Sequence, residues 1–428
     1  MNSLAILMGG ALMMGAVIAT AAGIARYSKF YRRELAESGS RELALDGLRG
    51  MAALMVAVYH AALSSTWLAT GVWGDARNPI LQLFGPLGVI IFFMLTGHLF
   101  WGKARAANGK TNIVKLWRGR LFRIAPLYLF SLLFILLVAA AETDTRWLAL
   151  ENWKPLLRLL SLGALIWQNA GQTDFTVFNA GVTWTLHYEW AFYLLLPFIA
   201  WLAPGRKVFG LAIIAYILVW VGRWHQVNLQ AGMYFIFGML CPVLLEDSSL
   251  RSRFRRPIAA GLALSATALL LWVLAGRDSF VSEHSISLAG AVFPLFFAAA
   301  AGNPFFNFLT HPAIRCLGAI SFSLYLLHGI IFRLVFHILK MNGLTSLTPR
   351  DHWFILIATA MATTLFCAAT YRWIEFPFLS KSHKPLRPAA GLCPETDSKE
   401  SRDGLTANPI DSAPPSTVIS PPPAPPRA

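Results

Sequence analysis

The sequence predicts an all-α fold, a polytopic bundle of transmembrane helices with about ten core spans plus one extra helix at the amino terminus. Three observations point there. Hydrophobic residues make up 56% of the 428 and charged residues only 13%, about half the usual share of a soluble domain. Apolar runs of about 20 residues, the length that crosses hydrocarbon, recur along most of the chain. Bases gather in alternate loops, as they do on the cytoplasmic side of membrane proteins. A soluble chain of this size needs more polar side chains to cover its surface. Soluble enzyme, disordered protein and fibrous repeat are therefore excluded.

The first apolar run, 4–24, has no Lys or Arg before it, and Arg26, Lys29, Arg32 and Arg33 follow it. That is the pattern of a retained helix rather than a cleaved signal, so 1–42 reads as an N-terminal helix and basic linker. Core spans are expected over 47–66, 85–101, 124–141, 184–203, 208–222, 232–245, 258–275, 286–302, 316–339 and 353–376. A shorter apolar stretch at 155–168 carries Arg158 and reads as a re-entrant or interfacial helix, or as one more span. Between Trp101 and Ile124 lie Lys103, Arg105, Lys110, Lys115, Arg118, Arg120 and Arg123, with no acid. Arg251, Arg253, Arg255 and Arg256 mark another basic loop, whereas the intervening loops hold Glu142, Asp144, Glu151, Asp278 and Glu283. The alternation places the amino terminus outside and the carboxyl terminus in the cytoplasm.

The net charge of +15 then points to a lipid bilayer as partner and not to nucleic acid, because no basic stripe is free of the membrane. Residues 381–428 hold 11 of the 24 prolines and end near PPPAPP. Such a segment buries too little apolar area to fold and reads as a disordered cytoplasmic tail, possessing at most a partner-binding role. The four cysteines show neither a disulfide framework nor metal-ligand spacing, so no metal is expected.

Ionisable residues inside spans are costly and are candidates for function. Arg49 and His60 stand eleven residues apart in LDGLRGMAALMVAVYH. Eleven steps of about 100° return a helix to within roughly 20° of the same face, after a rise of about 16 Å. One face thus carries a cation near the membrane surface and an imidazole near its middle. That suits an anionic group held at the surface with a reactive arm reaching inward to a base. It suits equally a boundary arginine and a hydrogen-bonded core histidine.

Arg118, Arg120 and Arg123 in RGRLFRIAPLY stand where guanidinium forks can grip phosphates, or where the positive-inside rule alone puts them. In WTLHYEWAFYLLLP, Glu189 lies one turn from Tyr193; it either positions an acceptor hydroxyl or is a solvated residue in an aromatic belt. GPLGVIIFFMLTGHLF has glycines that permit close helix approach, and LGAISFSLYLLHGIIF places His328 inside a span. YRWIEFPF carries Glu375 ahead of Pro377.

Taken in order, these six segments resemble the acyltransferase-3 family of integral-membrane acyltransferases. LDGLRG with Arg49 and His60 is similar to its Arg-x10-His signature, and WTLHYEWAFY to its Trp-Ser-Leu-x-x-Glu-x-x-Phe-Tyr element. The resemblance covers about residues 43 to 380, which makes 43–380 the membrane acyltransferase domain. It implies transfer of an acyl group, usually acetyl, from cytoplasmic acyl-CoA to a hydroxyl of a cell-envelope or exported glycan, at a bacterial-type inner membrane. It implies that Arg49 and His60 form the essential pair, that Arg118, Arg120 and Arg123 hold the CoA phosphates, and that Glu189 serves the acceptor. His328 would line the same cavity. Three positions depart from the pattern: His98 replaces an aromatic residue, and Thr96 and Thr185 each replace Ser. With only the tail after residue 380, transfer is expected to finish within the bundle or with a separate partner.

The rival class is a transporter or flippase that moves a glycan or acylated substrate without chemistry. It would show repeats and broken helices, and the sequence shows no convincing repeat. A membrane scaffold acting through the proline-rich tail leaves Arg49, His60 and Glu189 unexplained.

Overall fold

The computed structural model describes residues 3–37, 43–70, 76, 78–142, 145–167, 169–205, 207–224, 230–275, 285–342 and 347–382. The tail expected over 381–428 lies outside the described residues from 383 onward. Described residues are helical throughout, apart from loops and one isolated bridge between Ala170 and Thr173.

The long helices are α1 (Ser3–Tyr27), α3 (Leu43–Thr70), α4 (Pro79–Ala106), α5 (Ile113–Glu142), α14 (Ser321–Met341) and α15 (Pro349–Thr370). Short α2 (Lys29–Glu37) follows α1, and α6 (Trp153–Leu159) stands alone between α5 and α7 (Trp184–Ile199). Then come α8 (Val208–Trp224), α9 (Gln230–Leu244), α10 (Ser248–Arg255), α11 (Pro257–Ala275), α12 (Ser285–Ala300) and α13 (Pro312–Ala319). A π-turn over Tyr371–Glu375 leads from α15 into α16 (Phe376–Ser382).

Among the described residues, six helices are long and apolar enough to cross a membrane, and a seventh if α9 and α10, bent by 108°, count as one. The expected ten core spans are not reached. Val208–Val219, Pro257–Val273 and Ile286–Ala300 are shorter apolar helices, and the run over 184–203 yields only the 16 residues of α7. Sixteen residues rise about 24 Å, short of a hydrocarbon core of about 30 Å. Ten core spans are therefore not confirmed among the described residues. The stretch at 155–168 contributes only the seven-residue α6, followed by a turn with left-handed Leu162 and Gly163.

Two joints matter for the site. Gly97 on α4 and Gly238 on α9 let the helices touch backbone to backbone, since a Cβ at Gly97 would strike the Phe235 carbonyl and one at Gly238 the Met94 carbonyl. Gly50 and Gly318 do the same for α3 and α13, which fixes the Arg49 end of α3 beside the start of α14. The basic loop after α4 is tied down by an arginine in the last turn of that helix. Arg105 donates to the Ala203 and Gly205 carbonyls, each at 2.5 Å, and pairs with Glu246.

Candidate active site

His60 lies on α3 and His328 on α14, 268 residues apart in sequence. Their rings stack with centroids 5.0 Å apart, and His60 Nδ1 is 2.9 Å from His328 Nε2. Both are buried. His328 Nδ1 lies 2.8 Å from the Leu324 carbonyl, which can only accept, so Nδ1 carries the proton. In the neutral ring Nε2 then holds the lone pair and accepts from His60 Nδ1–H. This network assigns the lone pair of His60 to Nε2. One histidine therefore fixes the tautomer of the other, as an orienting group does in a hydrolytic triad.

Below the pair on α14 lies Tyr325, whose ring is 6.5 Å from that of His328. Its hydroxyl donates to the Val182 carbonyl at 3.1 Å and lies 2.9 Å from Thr185 Oγ1. One of the three departures from the family pattern, Thr185, thus anchors α7 to α14. Two residues before Tyr325, Ser323 Oγ donates to Glu375 Oε1 and lies 2.9 Å from Thr370 Oγ1. The π-turn brings Glu375 there; such turns are frequent at functional sites.

Arg49 pairs with Asp46 Oδ1 at 2.5 Å. Its Nε is buried without a hydrogen-bond partner among the described residues, as is Oε2 of Glu375. Arg123 is an electrostatic neighbour of Arg49, Arg120, Tyr371 and Glu375, and its guanidinium stands 5.8 Å over the Phe322 ring. Arg120 stacks over Phe100 at 4.7 Å and Tyr193 at 5.5 Å. Arg118 lies farther out, donating to the Lys381 carbonyl at 3.5 Å. The structure thus gathers Arg49, Arg120 and Arg123 into one cluster and leaves Arg118 at its rim.

Glu189 accepts from the Tyr193 hydroxyl at 2.9 Å and feels Arg120 and Arg123. The sequence expectation put Glu189 with the acceptor; its neighbours are the arginines expected to hold the donor. His98 packs edge-on to Phe296 on α12. Glu375, Ser323 and Tyr325 were not expected as site residues. An acid inside an apolar run was the one signal that singles out Glu375.

A shell of α2 closes the cluster from one side. Tyr31 donates to the Ala368 carbonyl at 2.8 Å, Tyr371 donates to Glu34 at 3.2 Å, and Arg315 donates to the Leu35 carbonyl at 2.6 Å. Burial pushes the Tyr31 hydroxyl well above the ordinary tyrosine range, so it remains a neutral donor. Among the described residues, no group of three His, Cys, Asp or Glu side chains could hold a metal ion.

A helical membrane protein with a buried histidine pair and an arginine–carboxylate cluster, joined along α3 and α14, is the class these features define. The profile of the family described as "Acyltransferase domain" matches residues 42–372. The chain belongs to this acyltransferase family. It is similar to O-acetyltransferase OatA of Staphylococcus aureus strain NCTC 8325 / PS 47, with 23% identity over 374 residues, 79% of this chain and 57% of the relative. A second S. aureus chain, from strain MRSA252 and provisionally named an O-acetyltransferase, is 23% identical over 391 residues, 82% of this chain and 59% of its own length. The chain thus spans less than two thirds of the length of these curated relatives. No solved structure matches.

Proposed function

We propose that this protein is a membrane O-acyltransferase that moves an acyl group, acetyl in the simplest case, from acyl-CoA to a hydroxyl of a cell-envelope or exported glycan. The observation that carries the proposal is the His60–His328 pair: His60 shares α3 with Arg49 of the arginine–carboxylate cluster, and His328 shares α14 with Ser323, which donates to Glu375 of that cluster. In this reading the Arg49 end faces the cytoplasm of a bacterial-type inner membrane, with the amino terminus outside, as the loop bases favour.

The residues fit a phosphate-bearing donor with an amide-rich arm. Within the cluster, Arg49, Arg120 and Arg123 already face Asp46, Glu189 and Glu375. Phosphate charge is therefore met best at the rim, by Arg118 and the bases beside it. The orphaned Arg49 N–H and Glu375 oxygen belong to electrostatic neighbours. A secondary amide satisfies both kinds of group at once, accepting from the first and donating to the second. A pantetheine arm passing Arg49 would bring its thioester toward His60.

There His60 Nε2 takes the proton of the acceptor hydroxyl as its oxygen attacks the thioester carbonyl. The C–S bond breaks, an ester forms, and the thiolate leaving group recovers the proton from His60. His328 accepts from Nδ1–H throughout and steadies the imidazolium. A brief acyl-imidazole on the same Nε2, passed on to the hydroxyl, uses the same lone pair. The test is transfer of radiolabelled acetyl from acetyl-CoA into envelope glycan in membranes bearing the protein. Label above that of control membranes is expected; label equal to control sinks the proposal.

A further inference from the structure

A cleft of about 340 Å³ opens between the end of α1 and the junction of α15 with the π-turn. Gly23, Tyr27, Tyr31, Ala368, Arg372 and Trp373 are among its lining residues. Its floor is small and apolar, and its rim is aromatic. Tyr27 and Trp373 are 76% and 68% exposed, as ring systems at a membrane–water boundary are. Arg372 stands at one end, its guanidinium held 5.4 Å over Phe30 and 5.8 Å over Trp373. Among the described residues no carboxylate lies within ion-pair distance of it. Arg26, over the Tyr27 ring at 5.5 Å, and Lys29 add positive charge to the same boundary.

We propose that this cleft binds one anionic glycerophospholipid from the leaflet at the Arg49 end. The phosphate lies against Arg372, and the upper acyl chain covers the floor around Gly23 and Ala368. A fixed cation with no counter-ion among the described residues, aromatic rims and an apolar floor beside a spanning helix are complementary to that ligand and poor for a free anion or a peptide. Half of the site comes from residues before 42, outside the segment matched by the family profile. The lipid also joins two parts of the protein that already touch. Tyr31 of the cleft donates to Ala368, and neighbouring Glu34 accepts from Tyr371 on the turn that carries Glu375. An occupant there braces the turn behind the arginine–carboxylate cluster.

The test is native mass spectrometry of the purified full chain in detergent micelles, offered phosphatidylglycerol, phosphatidylcholine or inorganic phosphate. Two variants probe the cation and the floor. Arg372→Ala removes the charge, and Gly23→Leu fills the cleft at a position where an added Cβ meets no atom within 4 Å. Phosphatidylglycerol retained by the wild type should fall about fivefold in Arg372→Ala, the worth of one interfacial base. It should fall in Gly23→Leu too, and persist in Arg372→Lys. Phosphatidylglycerol retention in Arg372→Ala and Gly23→Leu equal to that of the wild type overturns the proposal. So does phosphatidylcholine bound as tightly, or phosphate alone displacing the lipid, which marks a simple anion site. None of these readouts depends on acyl transfer.

Discussion

His60 Nδ1 and His328 Nε2 lie 2.9 Å apart across the α3–α14 interface, while His328 Nδ1 is committed to the Leu324 carbonyl. This order of bonds puts the lone pair of His60 on Nε2, with His328 accepting from its Nδ1–H.

The two histidines should therefore fail together. His328→Ala is expected to lower kcat by about a hundredfold with little change in the KM for acyl-CoA, because it removes orientation and not donor binding. The His60→Ala/His328→Ala double variant should be no worse than His60→Ala alone. Steady-state kinetics in reconstituted membranes decide this; independent, multiplying losses would show that the pair does not act as a unit.

Arg123 and Arg118 should separate. Arg123→Met leaves Glu375 buried beside fewer cations and is expected to lower the midpoint of thermal unfolding, a loss that Glu375→Gln in the same chain partly restores. Arg118→Ala, at the rim, should leave thermal unfolding unchanged and raise the KM for acyl-CoA, with the effect fading as salt increases. Thermal unfolding in detergent and salt-dependent kinetics read the two outcomes; equal behaviour of the two variants would contradict the layered cluster.

Glu189 sits with Tyr193, Arg120 and Arg123. Glu189→Gln is accordingly expected to change the KM for acyl-CoA several times more than the KM for the acceptor. A change confined to the acceptor KM would return Glu189 to the acceptor side.

The α4–α9 joint leaves no room for side chains. Gly97→Ala or Gly238→Ala, each driven into a carbonyl of the facing helix, should cost about 1–3 kcal/mol. Gly15→Ala on α1, where an added Cβ meets nothing within 4 Å, should be neutral or stabilising. Midpoints of thermal unfolding compare the three.

Much of this was legible in the chain. The 11-residue interval from Arg49 to His60 exposes one helical face, and His328 stands out as an imidazole in an apolar run. Their meeting was not legible, because no local pattern links α3 to α14; the close glycine packing of α3 on α13 helps set the register. Glu189 shows the opposite limit. Its place in the sequence shows Tyr193 one turn away on α7, but not Arg120 and Arg123, which reach it from α5. Among the described residues the count falls short of ten because α7 and α12 are apolar but run for only 16 residues each, and composition does not measure length. The tail from residue 383 lies outside the described residues.

The central claim is that His60 is the base of an acyl transfer. The most direct measurement is radiolabelled acetyl passing from acetyl-CoA to envelope glycan in membranes holding equal amounts of wild-type or His60→Ala protein, with matched thermal unfolding. The structure predicts a loss of at least about a hundredfold in the variant. Equal labelling by the two proteins would contradict it.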